Sequence, residues 1–409
     1  MRDEREPRAA RATGPGEPRP DEGHTGDTAE LPLPGELLDD DGQPSESAPA
    51  TQPQPQAIEE PDRRPASLVI QTSFLGDMVL TTPLIEELAA RGPVDVVATP
   101  AAAALLANNP HVRDVIRYDK RGDARGLSGL WRASRTLRER QDGEARDVRT
   151  AYLAQGSARS AMLALLAGIR ERVGFETSAG RALYTRAVAY RDDRHHAERL
   201  WRLSQADDAA SPAALRPRLY PGLEEVSQVD ALLKEAGHTP DIPLIALAPG
   251  SVWATKRWPG YPALAAALAR EFAGRAWIVT IGGVGDALLA AEIVAAAAPH
   301  TVVDAMGRLS LLASAELIDR CAVLVTNDSA PQHLASAMGT PTVALFGPTV
   351  PEFGFGPLAA RQAVLGRDDL PCRPCHRHGP EHCPLGHWRC MMELAPDDVA
   401  ARTIALLDG

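Results

Sequence analysis

Short apolar runs, each ending in a turn of small or acidic residues and followed by helix-spaced apolar residues, recur along most of this chain. The first is SLVIQ, then the turn TSFLGD and a helical stretch to about residue 90. VDVVATP, the short helix AAAALLANNP and VRDVIRY follow. An Arg-rich segment with Leu127, Leu130 and Leu137 at helical spacing leads to RTAYLAQGSARSAMLALLAG and then IRERVGF. Strands alternating with helices at such intervals predict a parallel α/β sheet, because parallel neighbours need a crossover between them. Pro83 sits inside the first helical stretch, and proline is favoured in a first turn, so that helix is expected to start near Thr82. Residues 176–222 read as irregular apart from one amphipathic helix near His195 to Ser204, and 221–242 as a linker. The alternation restarts at PLIALAPGS and continues through AWIVTIGG, TVVDAMG and CAVLVT. The expectation is two doubly wound halves, residues 67–222 and 223–409, behind a separate segment 1–66. Ligands of such sheets bind beyond the carboxyl ends of the strands, so the cleft between the halves is the expected site.

Charge and composition narrow the class. Residues 1–66 hold 16 of the 54 acids, 7 arginines and 12 of the 35 prolines. Such a segment buries too little apolar surface to offset its ordering entropy and reads as disordered. The remaining residues carry 38 acids against 36 bases. A body so nearly neutral lacks the basic excess of a nucleic-acid binder. MRDEREPR leads into no apolar core, so no signal peptide is expected, and no apolar run reaches the roughly 18 residues of a membrane span. The expected location is the cytoplasm.

Four loops fall where strands hand over to helices. In Ser73-Phe74-Leu75-Gly76-Asp77 the acid stands at the cleft mouth or caps the next helix. In PGSVWATKRWP, Ser251 and Lys256 follow a strand end, and a mobile ammonium there suits a phosphate; Trp253 and Trp258, two of six tryptophans, point to a site. IGGVGDALLA resembles a glycine-rich phosphate loop without being G-x-G-x-x-G. In NDSAPQHLASAMGTPTVALFGPT, the backbone N–H groups of Ser329 and Ala330 would open a helix whose N-terminus favours phosphate oxygens. His333, about one turn in, could add a donor, while Asp328 could hold a ligand or cap the helix.

Together with GIRERVGF and CRPCHRHGPEHCPLGHWRCMMELAPDDV, these stretches resemble glycosyltransferase family 9, the bacterial heptosyltransferases, in family order over about residues 67–407. The resemblance implies a GT-B fold, two Rossmann-like halves facing a cleft. It implies transfer of heptose from ADP-L-glycero-D-manno-heptose to the inner core of lipopolysaccharide, with inversion and no metal. Heptosyltransferase II is the nearest type. Carried over by motif, Asp77 is the catalytic base, Lys256 meets the donor diphosphate, and Asp328, Ser329, Ala330 and His333 form the donor-binding turn. Asp286 would orient the adenosine. Ser329-Ala330 replaces the Thr-Gly of many members, and Ala adopts positive φ less readily than Gly. The acceptor, a membrane-borne phosphorylated glycan, implies peripheral contact with the inner membrane and basic contacts from the first half: Arg159, Arg170 and Arg172, with His195 and His196 as further candidates. Another GT-B nucleotide-sugar enzyme, an epimerase, or a non-catalytic nucleotide-sugar binder are the alternatives.

Cys372, Cys375, Cys383 and Cys390 are spaced C-x2-C-x7-C-x6-C, with His376, His378, His382 and His387 among them. Clustered thiols in a reducing compartment suit a structural zinc, or an iron–sulfur cluster, free thiols or disulfides. Such a metal would brace the loop before the last helix.

Overall fold

The computed structural model describes residues 64–143, 147–212, 215–297 and 301–408. Nearly all of the segment read as disordered lies outside them. The first half runs β1 (Ala66–Gln71), α1 (Leu75–Ala89), β2 (Val94–Ala98), α2 (Pro100–Ala104), β3 (Asp114–Arg117), α3 (Gly126–Gly143), β4 (Val148–Leu153), α4 (Ala158–Leu166), β5 (Glu171–Phe175), β6 (Arg186–Val188) and α5 (His196–Arg202). The second runs α6 (Leu223–Glu235), β7 (Leu244–Ala248), α7 (Tyr261–Phe272), β8 (Trp277–Thr280), α8 (Ala287–Ala297), β9 (Val302–Asp304), α9 (Leu311–Asp319), β10 (Cys321–Asn327), α10 (Ala330–Met338), β11 (Thr342–Phe346), β12 (Gln362–Gly366), α11 (Arg389–Met392) and α12 (Pro396–Asp408).

Each half holds a six-stranded parallel sheet, ordered β3-β2-β1-β4-β5-β6 and β12-β11-β10-β7-β8-β9. Counted from its own first strand, the second has the same order as the first. Winding therefore reverses between β1 and β4, and again between β7 and β10. The central strands are buried on both faces: Leu68, Val69 and Ile70 of β1 and Val323, Leu324 and Val325 of β10 are all fully inaccessible. That is the continuous apolar reading expected of parallel strands covered by helices.

Among the elements that were not legible, three bear on the fold. β6 has three residues, and β12 is a half-exposed edge strand. The expected linker contains α6, whose Val229, Leu232 and Leu233 are buried; the helix packs on α9. Its start is marked by Glu225, which accepts the Gly222 N–H at 2.8 Å.

Helix α1 also departs from expectation. It begins at Leu75, and Pro83 lies inside it. Proline there removes the N–H that would bond to the carbonyl four residues back, at Val79. The Thr82 hydroxyl donates to Val79 O at 2.8 Å instead, and Thr82 Oγ1 accepts Arg218 N–H at 3.0 Å. The helix can therefore run through the proline, and Asp77 sits in its first turn rather than in a long loop. Thr82→Val leaves the buried Val79 carbonyl without this donor and the Arg218 N–H without its acceptor, and should cost about 1–3 kcal/mol by urea unfolding. Adding Pro83→Ala should recover part of that loss, because residue 83 then donates to Val79 itself.

Candidate active site

The turn after β1 is built around one carboxylate. Ser73 Oγ lies 2.5 Å from Asp77 Oδ2 and 2.7 Å from Gln71 Oε1, and the Phe74 N–H donates to Asp77 Oδ2 at 3.3 Å. Asp77 thus caps its own helix with Oδ2, and Oδ1 is left facing His196 Nε2 at 3.7 Å. The two readings of this acid are compatible, one oxygen to each. Across the reversal of winding, Thr72 Oγ1 donates to Gln155 Oε1 at 2.5 Å, tying the β1 and β4 turns together. Lys120 donates to Thr72 O at 2.7 Å, and burial lowers its ammonium pKa.

The second reversal is built the same way. Asn327, fully buried at the end of β10, donates to Pro249 O at 2.8 Å and accepts the Trp258 N–H at 3.3 Å. It fixes the 249–258 loop against the β10 turn. Lys256 Nζ then reaches Asp328 Oδ2 at 2.5 Å, and the Thr349 hydroxyl donates to the same oxygen at 2.7 Å. Both partners of this ion pair are about nine-tenths buried. Asp328 therefore holds Lys256 instead of capping α10, which has no side-chain cap. A helix start left uncapped keeps its N-terminal donors for a ligand. Ser329 has φ −152° and Ala330 is helical, so no glycine is needed at either position. Ser251 Oγ accepts the Trp253 N–H at 3.3 Å and shapes the loop. Asp286 accepts the Gly283 N–H at 3.0 Å, and its carboxylate lies so close to Gly250 that a Cβ there would approach within 2.6 Å. Trp258 is core: its indole N–H bonds Leu394 O, and its ring packs on Tyr261.

The two rims touch. Helix α1 packs on α10, and a Cβ on Gly76 would lie 2.5 Å from His333 Cδ2. The His333 ring is buried against α1 and Phe355, and its Nδ1 has no protein partner. Residues 372–388 form a strap over this seam. Thr255 Oγ1 donates to Pro380 O, Gly379 packs on the Lys256 stem, and Arg377 donates to Tyr190 OH at 3.1 Å across to the first half. On this strap His378 has a lowered pKa, through burial first and then the charge of Lys256.

The profile of "Glycosyltransferase family 9 (heptosyltransferase)" matches residues 136–387. The chain belongs to this family. Lipooligosaccharide heptosyltransferase 2 of Haemophilus influenzae is 29% identical over 312 residues, 73% of this chain and 87% of that protein. Lipopolysaccharide heptosyltransferase 1 of Pseudomonas aeruginosa is 29% identical over 365 residues, 83% and 97% of the two chains. Among solved structures, the Escherichia coli ADP-heptose lipopolysaccharide heptosyltransferase II superposes with TM-score 0.68 at 26% identity, covering 84% of this chain and 98% of that one. A family 9 glycosyltransferase from Veillonella parvula superposes at 0.72 with 24% identity, covering 85% and 98%. The fold is GT-B, and the protein is a glycosyltransferase.

The fold brings Asp77 to the first reversal of winding and Ser251, Lys256, Asp328, Ser329, Ala330 and His333 to the second, with Asp286, after β8, against Gly250. It does not gather Arg170 and Arg172. Both stand at the amino end of β5, the edge away from the Asp77 turn, and Arg172 is spent on the carbonyls of Leu183 and Ile169 at 2.6 Å. Arg159 does stand at the mouth, but its guanidinium is bound to Tyr118 OH at 2.7 Å and to Gly126 O at 2.9 Å. His195 and His196 are turned inward.

The cysteines do not assemble the expected zinc site. Cys372, Cys375, Cys383 and Cys390 are free thiols, and among the described residues no three Cys, His, Asp or Glu side chains are placed to hold a metal. Cys390 is buried in the core of the second half, where burial lifts its thiol to about 11, whereas Cys375 is exposed. The strap is held by Arg373, whose guanidinium bonds Gly347 O at 2.6 Å and Phe346 O at 3.0 Å. Asn327 and the placing of this strap are the parts of the site that motif spacing did not reveal, the Asn-Asp pair ending β10 being the one available signal; His196, expected among the acceptor contacts, stands beside Asp77.

His195, His196 and His333 are each held at about 4, below the usual 6.5, chiefly by burial. The unfolded chain therefore takes up protons first as the pH drops. Stability is full above about 6.5 and is lost as pH falls toward 4. Urea midpoints measured across this window should fall steadily, and His333→Gln should make the fall shallower by up to one proton's worth.

Proposed function

We propose that this chain is an inverting heptosyltransferase. It moves heptose from ADP-L-glycero-D-manno-heptose to the inner core of lipopolysaccharide, in the manner of heptosyltransferase II, with no metal in the chemical step. The observation that carries this reading is the opposition of Asp77, at the first reversal of winding, to Lys256 and the α10 N-terminus at the second. His333 lies in the fields of both Asp77 and Asp328, and His378 in those of both Asp77 and Lys256. The relatives, several of them heptosyltransferases of lipopolysaccharide or lipooligosaccharide, suggest the substrate class.

In this mechanism the acceptor hydroxyl attacks the anomeric carbon while Asp77 Oδ1 takes its proton. The bond to the ADP oxygen breaks on the opposite face, so the configuration inverts. Charge gathers on the departing diphosphate. Lys256 uses one of its three donors on Asp328 and has two left for that charge, and the N–H groups opening α10 add to them. Fixed cationic and dipolar groups thus do the electrostatic work. Asp286 and the 250–251 turn close the nucleoside end. Lys120, with the loop that Arg159 holds, borders the acceptor side; Arg170 and Arg172 take no part.

The test is ADP release and glycan mass with ADP-heptose and acceptors of increasing core length. Transfer of one heptose to a one-heptose acceptor supports the type II reading, and transfer to a heptose-free core moves it to type I. Asp77→Asn should bind ADP-heptose normally and lose at least about a hundredfold in kcat, the scale of general-base catalysis. Donor binding with no transfer to any acceptor would leave a binding module.

No described helix is long and apolar enough to cross a membrane. Peripheral contact with the cytoplasmic face of the inner membrane is part of the proposal. It is supported by the outer face of α3 and α4, where Leu127, Trp131, Leu165 and Leu166 are exposed beside Arg132, Arg135 and Arg138. Apolar side chains beside arginines, of which Arg135 also pairs with Glu139 at 2.7 Å, suit an anionic lipid surface. The full chain should cosediment with vesicles containing phosphatidylglycerol but not with purely zwitterionic ones, and Leu127→Ala with Trp131→Ala should weaken that binding several-fold.

A further inference from the structure

The resemblance assigns Asp77 as the base and offers His196 beside it only as a candidate acceptor contact. Of the two oxygens of Asp77, Oδ2 is filled by Ser73 Oγ and the Phe74 N–H. Oδ1 carries neither of these bonds, and His196 Nε2 lies 3.7 Å from it. This is just beyond hydrogen-bond range, and catalytic contacts that are long without substrate commonly tighten when it binds.

His196 is anchored by the other half of the molecule. Its backbone N–H donates to Gly354 O at 2.7 Å, and its ring lies on Phe355 with centroids 4.8 Å apart. Its neighbour His195 accepts the Ala197 N–H on Nδ1, which fixes the proton on Nε2, and that proton goes to Gly356 O at 3.0 Å. Arg199, one turn on, donates to Phe353 O at 3.0 Å. The start of α5 is thus pinned to residues 353–356 of the second half while its His196 ring faces the base in the first. The His196 side chain is 12% exposed, and its Nδ1 is buried without a protein partner.

We propose that His196 is a positioning residue for Asp77: it is neutral, with its proton on Nε2, and donates to Oδ1 so that a single lone pair of the carboxylate remains for the acceptor hydroxyl. The charged and titratable groups around it fit a neutral ring. Burial opposes its protonation most strongly; Asp77 of α1 favours it; Arg199 and His195 of its own segment and Arg377 of the strap oppose it. Because the ring hangs from the 353–356 segment, the aim of the base depends on the docking of the two halves. No proton is passed to His196. The inference rests on the reading of Asp77 as base.

Two replacements separate donation from packing. His196→Phe keeps a ring against Phe355 and removes the donor; His196→Gln removes the ring and keeps an amide N–H at a similar reach. With the full chain, ADP-heptose and the acceptor that supports transfer, H196F should lose roughly tenfold or more in kcat, the scale of a lost hydrogen bond to a charged group. Its donor KM should stay within about twofold, and H196Q should keep most of the wild-type kcat. In an Asp77→Asn background H196F should have no further effect. If H196F fails to fold, as judged by thermal unfolding and ADP binding, His196→Asn takes its place, since its amide ends short of Oδ1 and the same loss is expected. Wild-type kcat in H196F, or H196F active with H196Q inactive, overturns the proposal and leaves Asp77 untouched. Full transfer by Asp77→Asn overturns the base assignment and this inference with it.

Discussion

A parallel sheet wound outward from its middle in both directions must leave a crevice where the winding reverses, because the connections on its two sides leave in opposite directions. This chain makes such a crevice twice, between β1 and β4 and between β7 and β10. The candidate chemistry depends on that constraint. Asp77 follows β1, Lys256 follows β7 and Asp328 follows β10. Each crevice is held by a buried polar link between its two turns, Thr72 to Gln155 in the first and Asn327 to the Pro249 carbonyl in the second.

The halves are joined by short-range complementarity. Gly76 admits the His333 ring against α1, and the start of α5 is hydrogen-bonded to residues 354–356 through His195 and His196. The strap adds a third tie through Arg377 and Tyr190. Burying the rings of His195, His196 and His333 at this seam lowers stability in acid, a cost accepted where polar groups must face a ligand.

Several departures from the sequence reading share one cause: spacing along a chain does not report on which end of a strand a residue stands, or what its side chain has already been given. Arg170 and Arg172 were read as acceptor contacts because they are basic and adjacent to a strand; they are at its amino end. Arg159 is at the correct end, with its Nε and Nη2 already engaged. Trp258 sits in a loop of functional residues and is core. Pro83 would break α1 if the Thr82 hydroxyl did not replace the missing donor, a compensation visible only once Val79 O and Thr82 are seen together. The cysteine spacing had the form of a metal site, and the four thiols lie in one another's fields, but among the described residues no three ligands are placed to hold an ion.

The local patterns were sufficient for the alternation of strands and helices, for the two doubly wound halves, and for the four loops that carry Asp77, Lys256, Asp286 and the Ser329–His333 turn. Each of these depends on periodicity and turn chemistry within about twenty residues, which a linear reading can follow. Folding in three dimensions decided the rest: that Lys256 is held by Asp328 from 72 positions away, that residues 372–388 lie over the seam, and that His196 meets the free oxygen of Asp77. Those pairings are set by the packing of one half on the other, and the physical quantity that selects them, complementarity between surfaces distant in the chain, has no local signature.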